Sequence, residues 1–333
     1  MNWKSVSCAV QGRGHKRKNI PCQDKVARRV KNGVHVIALA DGAGSAALSH
    51  FGAECVVNHI TNFVTEKFFD LIAESEGQKV TTEILSTILQ TLNEKSQSLN
   101  CNLKDLASTL LVAAVSDENF FLAHLGDGVI GYLNDKGLKT VSIPDNGEFS
   151  NETVFLTSSN AASHFRIYKG ALKNISGFIL MSDGTEQSFY NKRTKKLAPV
   201  VKRLMHRTCL ISDEVLTPQL ENALNSVVID NTQDDCSVAI LARTSEQLPP
   251  LHKLPLNERQ DIFNIIGSTM FIKVRQKIFQ YDEICEILKK PSTIQQLSGK
   301  LHVKPLSIKK TLQKLLSIGI IRHTGFGYEI YCR

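Results

Sequence analysis

An α+β fold, two antiparallel sheets packed together and flanked by helices, is what the sequence predicts, and three observations predict it. Apolar runs of strand length recur over residues 1–244, among them GVHVIALA (33–40) and GFILM (177–181). Such unbroken apolarity is expected of strands buried on both faces. Helical patterns arrive in pairs between groups of strands instead of alternating with them, which argues against a doubly wound parallel sheet. Short polar stretches, Asp117-Glu118-Asn119 and Asn134–Gly137, join strand runs in the manner of hairpin turns.

In chain order, residues 5–10 and 33–40 read as strands. Helices follow over Leu48–Ala73 and Thr82–Leu99, where apolar residues keep helical spacing. STLLVAAVSD and NFFLAHLGD form one predicted strand pair, and VIGYLNDKGLKTVS a second. Further strands fit Thr153–Thr157, Gly177–Met181 and Ser237–Ala242, with helices over Leu197–Arg207 and Pro218–Val228 between them. The prolines of SEQLPPLHKLP mark residues 245–257 as a linker. Beyond it, Glu258–Thr269, Tyr281–Lys289 and 293–303 read as helices. PLSIKKTLQKLLS is a further helix, with Ser307 as candidate N-cap and Gly319 as terminator, and residues 320–332 read as a hairpin turning at Gly325–Gly327. Short helices ending in a hairpin outline a small winged helix-turn-helix domain over 258–333.

Composition sets limits on function. The apolar fraction of 42% and charged fraction of 22% are those of a globular protein, and 333 residues suffice for more than one domain. The net charge of +8 permits an acidic partner without demanding one. Eight scattered cysteines without CxxC spacing predict free thiols in a reducing compartment. No apolar run reaches signal-peptide or membrane-spanning length, so a cytoplasmic protein without a transmembrane segment is expected.

Chemistry points to the acidic turns. Asp41-Gly42 follows HVIALA, Asp183-Gly184 follows GFILMS, and Asp234-Asp235 precedes CSVAILA. Each marks the end or start of a strand run, so folding can bring these carboxylates to one sheet edge. Gathered like charges repel unless cations intervene, and hard divalent ions prefer oxygen ligands. Two such ions ~3.5–4 Å apart can activate a water and neutralise a phosphoryl group. Asp24 and Asp127, in CQDK and LGDG, are further candidates. Each Asp-Gly pair taken alone is a common turn dipeptide. His35 and His124, set in apolar strands, read as packed residues.

The ordered set QD, ADGAGS, LGDG, MSDG and QDDCSV, spanning about residues 5–243, resembles the metal-dependent type 2C serine/threonine protein phosphatases, especially their divergent bacterial branch. That resemblance implies a four-layer α-β-β-α sandwich with two cations, Mn²⁺ or Mg²⁺, at one end, and room for a weaker third. It implies that Asp41 bridges the metals, that the Gly42 carbonyl joins one, and that Asp183 and Asp234 hold the other. Asp24 and Asp127 match the family's flanking motifs. The family usually has asparagine after its last metal aspartate, whereas this chain has Asp235, whose extra charge would tune metal affinity or share the metal role with Asp234. Its phosphate-binding arginine falls within GRGHKRKNIPCQD at altered spacing, so Arg13 and His15 are both candidates, with Arg17 and Lys18 nearby. A histidine there can also serve as general acid.

The implied reaction is hydrolysis of phosphoserine or phosphothreonine in a protein substrate by a metal-activated water. Residues Gln187–Asp213, with the basic run NKRTKK, would form a flap over the substrate. The alternative is a weak or inactive phosphatase-like scaffold that senses phosphoproteins or binds DNA through its C-terminal winged helix. Lys304, Lys309, Lys310, Lys314, Arg322 and His323 would supply the basic edge for such a partner within residues 281–333. With no arginine cluster for base readout, a regulatory or protein-binding role is preferred to sequence-specific DNA binding.

Overall fold

The computed structural model describes residues 3–116, 118–145, 153–244 and 251–330. Its centre is two five-stranded antiparallel sheets flanked by helices. One sheet has the order β2 (Lys25–Lys31), β3 (Val34–Ala40), β4 (Leu110–Ser116), β5 (Asn119–Leu125) and β8 (Arg166–Ala171). The other runs β1 (Trp3–Val10), β12 (Cys236–Arg243), β9 (Ile175–Met181), β6 (Val129–Asn134) and β7 (Gly137–Ser142).

The apolar runs form the inner strands because both faces are covered. Val34, Val36, Ala38 and Ala40 of β3 pack with Val56, Ile60 and Phe68 of α2 (Ser49–Ala73) and with Ile84 and Ile88 of α3 (Gly77–Leu99). The alternate residues Ile37 and Leu39, with Leu111 and Ala113 of β4, lie on the opposite face, where β3 and β4 meet β9. Period-two alternation thus hides every side chain of β3 and β4 except the half-buried His35.

Two edge strands are absent from the sequence reading. β2 is KVARRVK and β8 is RIYKGA, neither with a fully buried residue. The predicted strand over Thr153–Thr157 is instead coil and turn. Val154 and Leu156 are buried there, and the Leu156 amide donates to the Ser108 carbonyl at 2.9 Å. Its apolarity therefore reflects a loop packed on the core. β4 and β5 pair as expected, Ser116 opposite Asn119, while Asp117 of their turn lies outside the described residues.

The basic N-terminal segment, for which the sequence predicts no element, is a short helix, α1 (Arg13–Lys18). Two further short helices, α4 (Ala161–His164) and α5 (Glu186–Phe189), precede β8 and the small ribbon of β10 (Tyr190–Asn191) and β11 (Lys196–Leu197). Helices α6 (Pro199–Leu210) and α7 (Asp213–Ala223) lead towards β12; α7 starts ahead of the expected Pro218, which it carries within it.

The chain divides into two compact units. One comprises Ser5–Lys202 and Leu220–Leu241 and carries the sandwich; the other comprises Met1–Lys4, Arg203–Gln219 and Ala242–Arg333. Residues 245–250 of the expected linker lie outside the described residues. The rest of it holds a 3-10 turn at Leu251–Lys253 with Leu251 and Leu254 buried. Then follow α8 (Leu256–Ile262), α9 (Ile272–Ile287), α10 (Ile294–Leu301), α11 (Pro305–Ser317), β13 (Ile321–Thr324) and β14 (Gly327–Ile330). Helix α9 begins well before Tyr281, and α11 is capped at Lys304 with Pro305 inside its first turn, so Ser307 is not the cap. Phe263, Ile278, Tyr281, Leu297, Ile308 and Leu312 are buried in this unit. The seven described cysteines are free, and no helix among the described residues is long and apolar enough to cross a membrane.

Candidate active site

Strand register decides where the acidic turns fall. Leu39 pairs with Leu111 and Leu110 with Leu125, so the end of β3 and the end of β5 share one edge. Asp41 and Asp127 leave from that edge, and Asp24 stands just before β2, whose Lys25 pairs with Ala40. In the other sheet Val129 pairs with Met181, and the Ser182 amide donates to the Ser237 carbonyl at 3.2 Å. Asp183, Asp234 and Asp235 are thereby delivered to the same end.

Asp24, Asp41, Asp127, Asp183 and Asp234 come within electrostatic range of one another. Asp24 is 1% exposed, and burial, the largest cause, pushes its carboxyl up to about 7. The Ser237 and Ser182 hydroxyls, close by but outside hydrogen-bond geometry, oppose that rise. Burial and then neighbouring carboxylates push Asp183 up to about 8. The same causes hold Asp41 well above the carboxylate range, although its residue keeps an opening to solvent. Both carboxylate oxygens of Asp24 and Oδ1 of Asp183 are buried without a hydrogen-bond partner. Among the described residues, no three His, Cys, Asp or Glu side chains close on a common point. The carboxylates are gathered but not drawn together.

Asp235 does something different. Its Oδ1 accepts from the Gly12 amide at 2.6 Å and its Oδ2 from the Gln23 amide at 2.5 Å. His15 Nδ1 lies 2.9 Å from the same Oδ1, off the hydrogen-bond line. At 1% exposure, both oxygens are spent on the chain itself, whereas the Asp234 side chain is 50% exposed. Two glycines make the arrangement possible. A Cβ on Gly12 would stand 2.3 Å from the Asp234 carbonyl carbon, and one on Gly184 would stand 1.8 Å from the Asp235 carbonyl oxygen. Only glycine allows so close a backbone approach.

The two phosphate candidates separate. Arg13 donates through Nη2 to the carbonyls of Asp230 and Thr232, at 2.8 and 3.1 Å, and through Nε to Thr232. His15 Nε2 is 3.9 Å from Asp234 Oδ1, beside the acidic cluster. Arg17 is occupied by Gln233. Gly42 is buried, its amide donating to the Gln23 carbonyl at 3.2 Å. Asp127 accepts from the Thr153 hydroxyl at 2.6 Å.

A cavity of about 560 Å³ opens beside Asp183 and Asp234, lined also by Glu186, Tyr190, Lys192 and Arg193. Lys192 Nζ lies 2.6 Å from Oε2 of the nearly buried Glu186, whose Oε1 has no partner. Sequence reading marked NKRTKK as a flap but missed Glu186, Ser182 and Ser237. The two serines each adjoin an acidic motif, which was the available signal. Glu186 gave none, being one glutamate in a polar turn.

The donor set is suited to hard cations: the atoms left without a partner beside the cluster include both oxygens of Asp24 and one each of Asp183 and Glu186, with the Ser237 hydroxyl and His15 Nδ1, and burial makes charge without compensation costly. The family model for protein phosphatase 2C matches residues 11–225. Serine/threonine-protein phosphatase 3 of Escherichia coli (strain K12) is 24% identical over 261 residues, covering 74% of this chain and 100% of that protein. A crystal structure of a bacterial serine phosphatase superimposes with a TM-score of 0.54 at 14% identity, covering 74% of this chain and 100% of the other. The serine/threonine phosphatase Stp1 from Staphylococcus aureus gives 0.52 at 14% identity, covering 74% and 96%.

Proposed function

This chain belongs to the protein phosphatase 2C family, and on that premise we propose that it hydrolyses phosphoserine and phosphothreonine in cytoplasmic proteins. The observation that carries the reading is the gathering of five aspartates at one end of the sandwich, with buried oxygens on Asp24 and Asp183 that have no partner in hydrogen-bond geometry among the described residues. Members of the family generally use divalent metals. Asp41, Asp183 and Asp234, with the Gly42 carbonyl, would hold two Mn²⁺ or Mg²⁺ ions, and Asp24 and Asp127 would flank them. When bound, such ions lower the pKa of water and stabilise charge on a transferring phosphoryl group.

The remaining work falls to the chain's own groups. Asp235 clamps the amides of Gly12 and Gln23, which fixes Asp24 and His15 against the cluster. We assign it this positioning role in place of a metal contact. His15 Nε2, at the cluster edge, would give its proton to the departing serine or threonine oxygen. Lys192 and Arg193 face the cavity at Asp183 and would meet the phosphate or acidic residues near it, while Arg13 stays bound to carbonyls. The order of helices and hairpin over 258–333 supports a winged helix-turn-helix module. Arg322 is already paired with Glu329, which favours protein docking or regulation over DNA reading.

The test is phosphate release from a phosphothreonine peptide with and without Mn²⁺, beside calorimetry of Mn²⁺ binding. Asp41→Asn and Asp183→Asn should each lower kcat by more than about a hundredfold and weaken Mn²⁺ binding, since ligand loss exceeds the cost of an outer-shell change. Folded variants with undiminished turnover would sink the assignment.

A further inference from the structure

The C-terminal unit holds an apolar loop out into solvent. Between α8 and α9, Ile266 is 95% exposed and Met270 81%, followed by Phe271 at 65% and Ile272 at 71%. The loop is not loose. Gln260 Nε2 donates to the carbonyls of Ile265 and Gly267, the Phe271 amide to the Ser268 carbonyl, and Arg275 Nε to the Thr269 carbonyl at 2.6 Å. Phe263 and Ile265 are buried as anchors at its root. A fixed backbone that presents four large apolar side chains to water costs hydration free energy, and contiguous exposed patches of this kind mark interaction sites.

Charge indicates what covers them. Residues 262–281 contain no aspartate or glutamate, while Lys273, Arg275 and Lys277 follow directly on the apolar run. The acids closest in sequence are engaged: Asp261 pairs with Arg203 at 3.1 Å, and Asp282 with Arg259. Among the described residues no ion pair engages Lys273, Arg275 or Lys277, so their charge is open to an outside partner even though Arg275 also holds the Thr269 carbonyl and Lys277 Nζ stands 5.9 Å from the Tyr281 ring centroid. Side chains that project this far from a loop need no shaped groove in a fluid apolar medium, and cations beside them match anionic headgroups.

We infer that the 266–272 loop inserts into an anionic lipid surface, with Lys273 and Lys277 on the headgroups, so that the phosphatase works at a membrane without a spanning segment. The protein should cosediment with phosphatidylcholine vesicles containing one-third phosphatidylglycerol, and about twenty-five-fold more weakly with phosphatidylcholine alone, since each of the two lysines near such a surface contributes roughly fivefold. Met270→Ser combined with Phe271→Ser, both at exposed positions, should abolish cosedimentation while circular dichroism stays unchanged. Lys273→Gln and Lys277→Gln should each weaken it about fivefold. Undiminished vesicle binding by the double serine variant would overturn the inference. So would the absence of vesicle binding by the parent chain, whether the loop then proves to join two copies in sedimentation velocity or to hold a protein partner.

Discussion

Asp235 shows how far one residue can depart from its motif. Adjacent aspartates at 234 and 235 are indistinguishable by type, and the sequence allowed Asp235 to share the metal role of Asp234. The fold separates them by exposure and partners: one carboxylate is half open beside the cluster, the other buried on two amides. Asp235→Asn would set an NH₂ group against one of those amides. Hydrogen bonds to charged groups are worth about 1.5–3 kcal/mol, so stability in urea should fall by about 2 kcal/mol. Mn²⁺ affinity should fall only about tenfold, the scale of an outer-shell change. Asp234→Asn should do the reverse, leaving the urea midpoint in place and removing most Mn²⁺ binding. A collapse of metal affinity in the Asp235 variant would return that residue to the ligand set.

At the scale of elements, α11 is the one whose partner is open to experiment. Ile308, Thr311, Leu312 and Leu315 face the core, so Lys309 and Lys310 point outward. With Lys304 and Lys314 they could neutralise about four phosphates, and binding to duplex DNA should then weaken about a hundredfold between about 50 and about 200 mM salt. Full-length protein is expected to show this salt-driven, sequence-indifferent binding and nothing tighter. Selection of one DNA sequence at physiological salt would contradict the protein-docking role. The elements legible beforehand were those with a single physical reason for their sequence. β3, β4, β9 and β12 are apolar because both faces are covered, and α2 and α3 repeat at helical spacing because one stripe is. β2 and β8 were illegible for the opposite reason: edge strands carry charge that discourages further pairing, and their sequences resemble loops. The 153–157 segment misled because a loop that plugs the core is as apolar as a strand. Placement of the acidic turns at one edge could be anticipated from strand ends. Which carboxylate would be consumed by the backbone could not, because the Gly12 contact spans a sequence separation of 223.

For the whole molecule, the gathered carboxylates tie stability to pH and metal. Asp24 and Asp183 titrate near 7 and 8 when folded, far above the ordinary 3.8. A raised pKa means the folded state keeps its proton longer. Its stabilising contribution is complete below the unfolded value and is lost as pH rises through the folded ones. Metal-free protein should therefore lose about 2 kcal/mol between about pH 6.5 and 8. His124, buried and held down to about 3, is neutral when folded but half protonated at about pH 6.5 when unfolded, so its contribution rises with pH and offsets about 0.4 kcal/mol of that loss. Divalent cations bind the ionised carboxylates, so the Mn²⁺-induced rise in Tm should be larger at pH 8 than at pH 6.5. Thermal melts with chelator and with Mn²⁺ at the two pH values give the comparison, and an equal rise at both would contradict it.

The union of Gly12 with Asp235 also sets a timetable for synthesis. The N-terminal glycine leaves the ribosome early, but its acceptor is encoded more than two hundred residues later. Until that acceptor emerges, the amides of Gly12 and Gln23 lack their native partner, and His15 lacks its neighbour. On the positioning role proposed for Asp235, a nascent chain can form the helices and the strands before β12 as it grows, but it lacks the clamp on Gly12 and Gln23 until residue 235 is made. The clamp can thus close only at that point, while residues 236–333 are still to come.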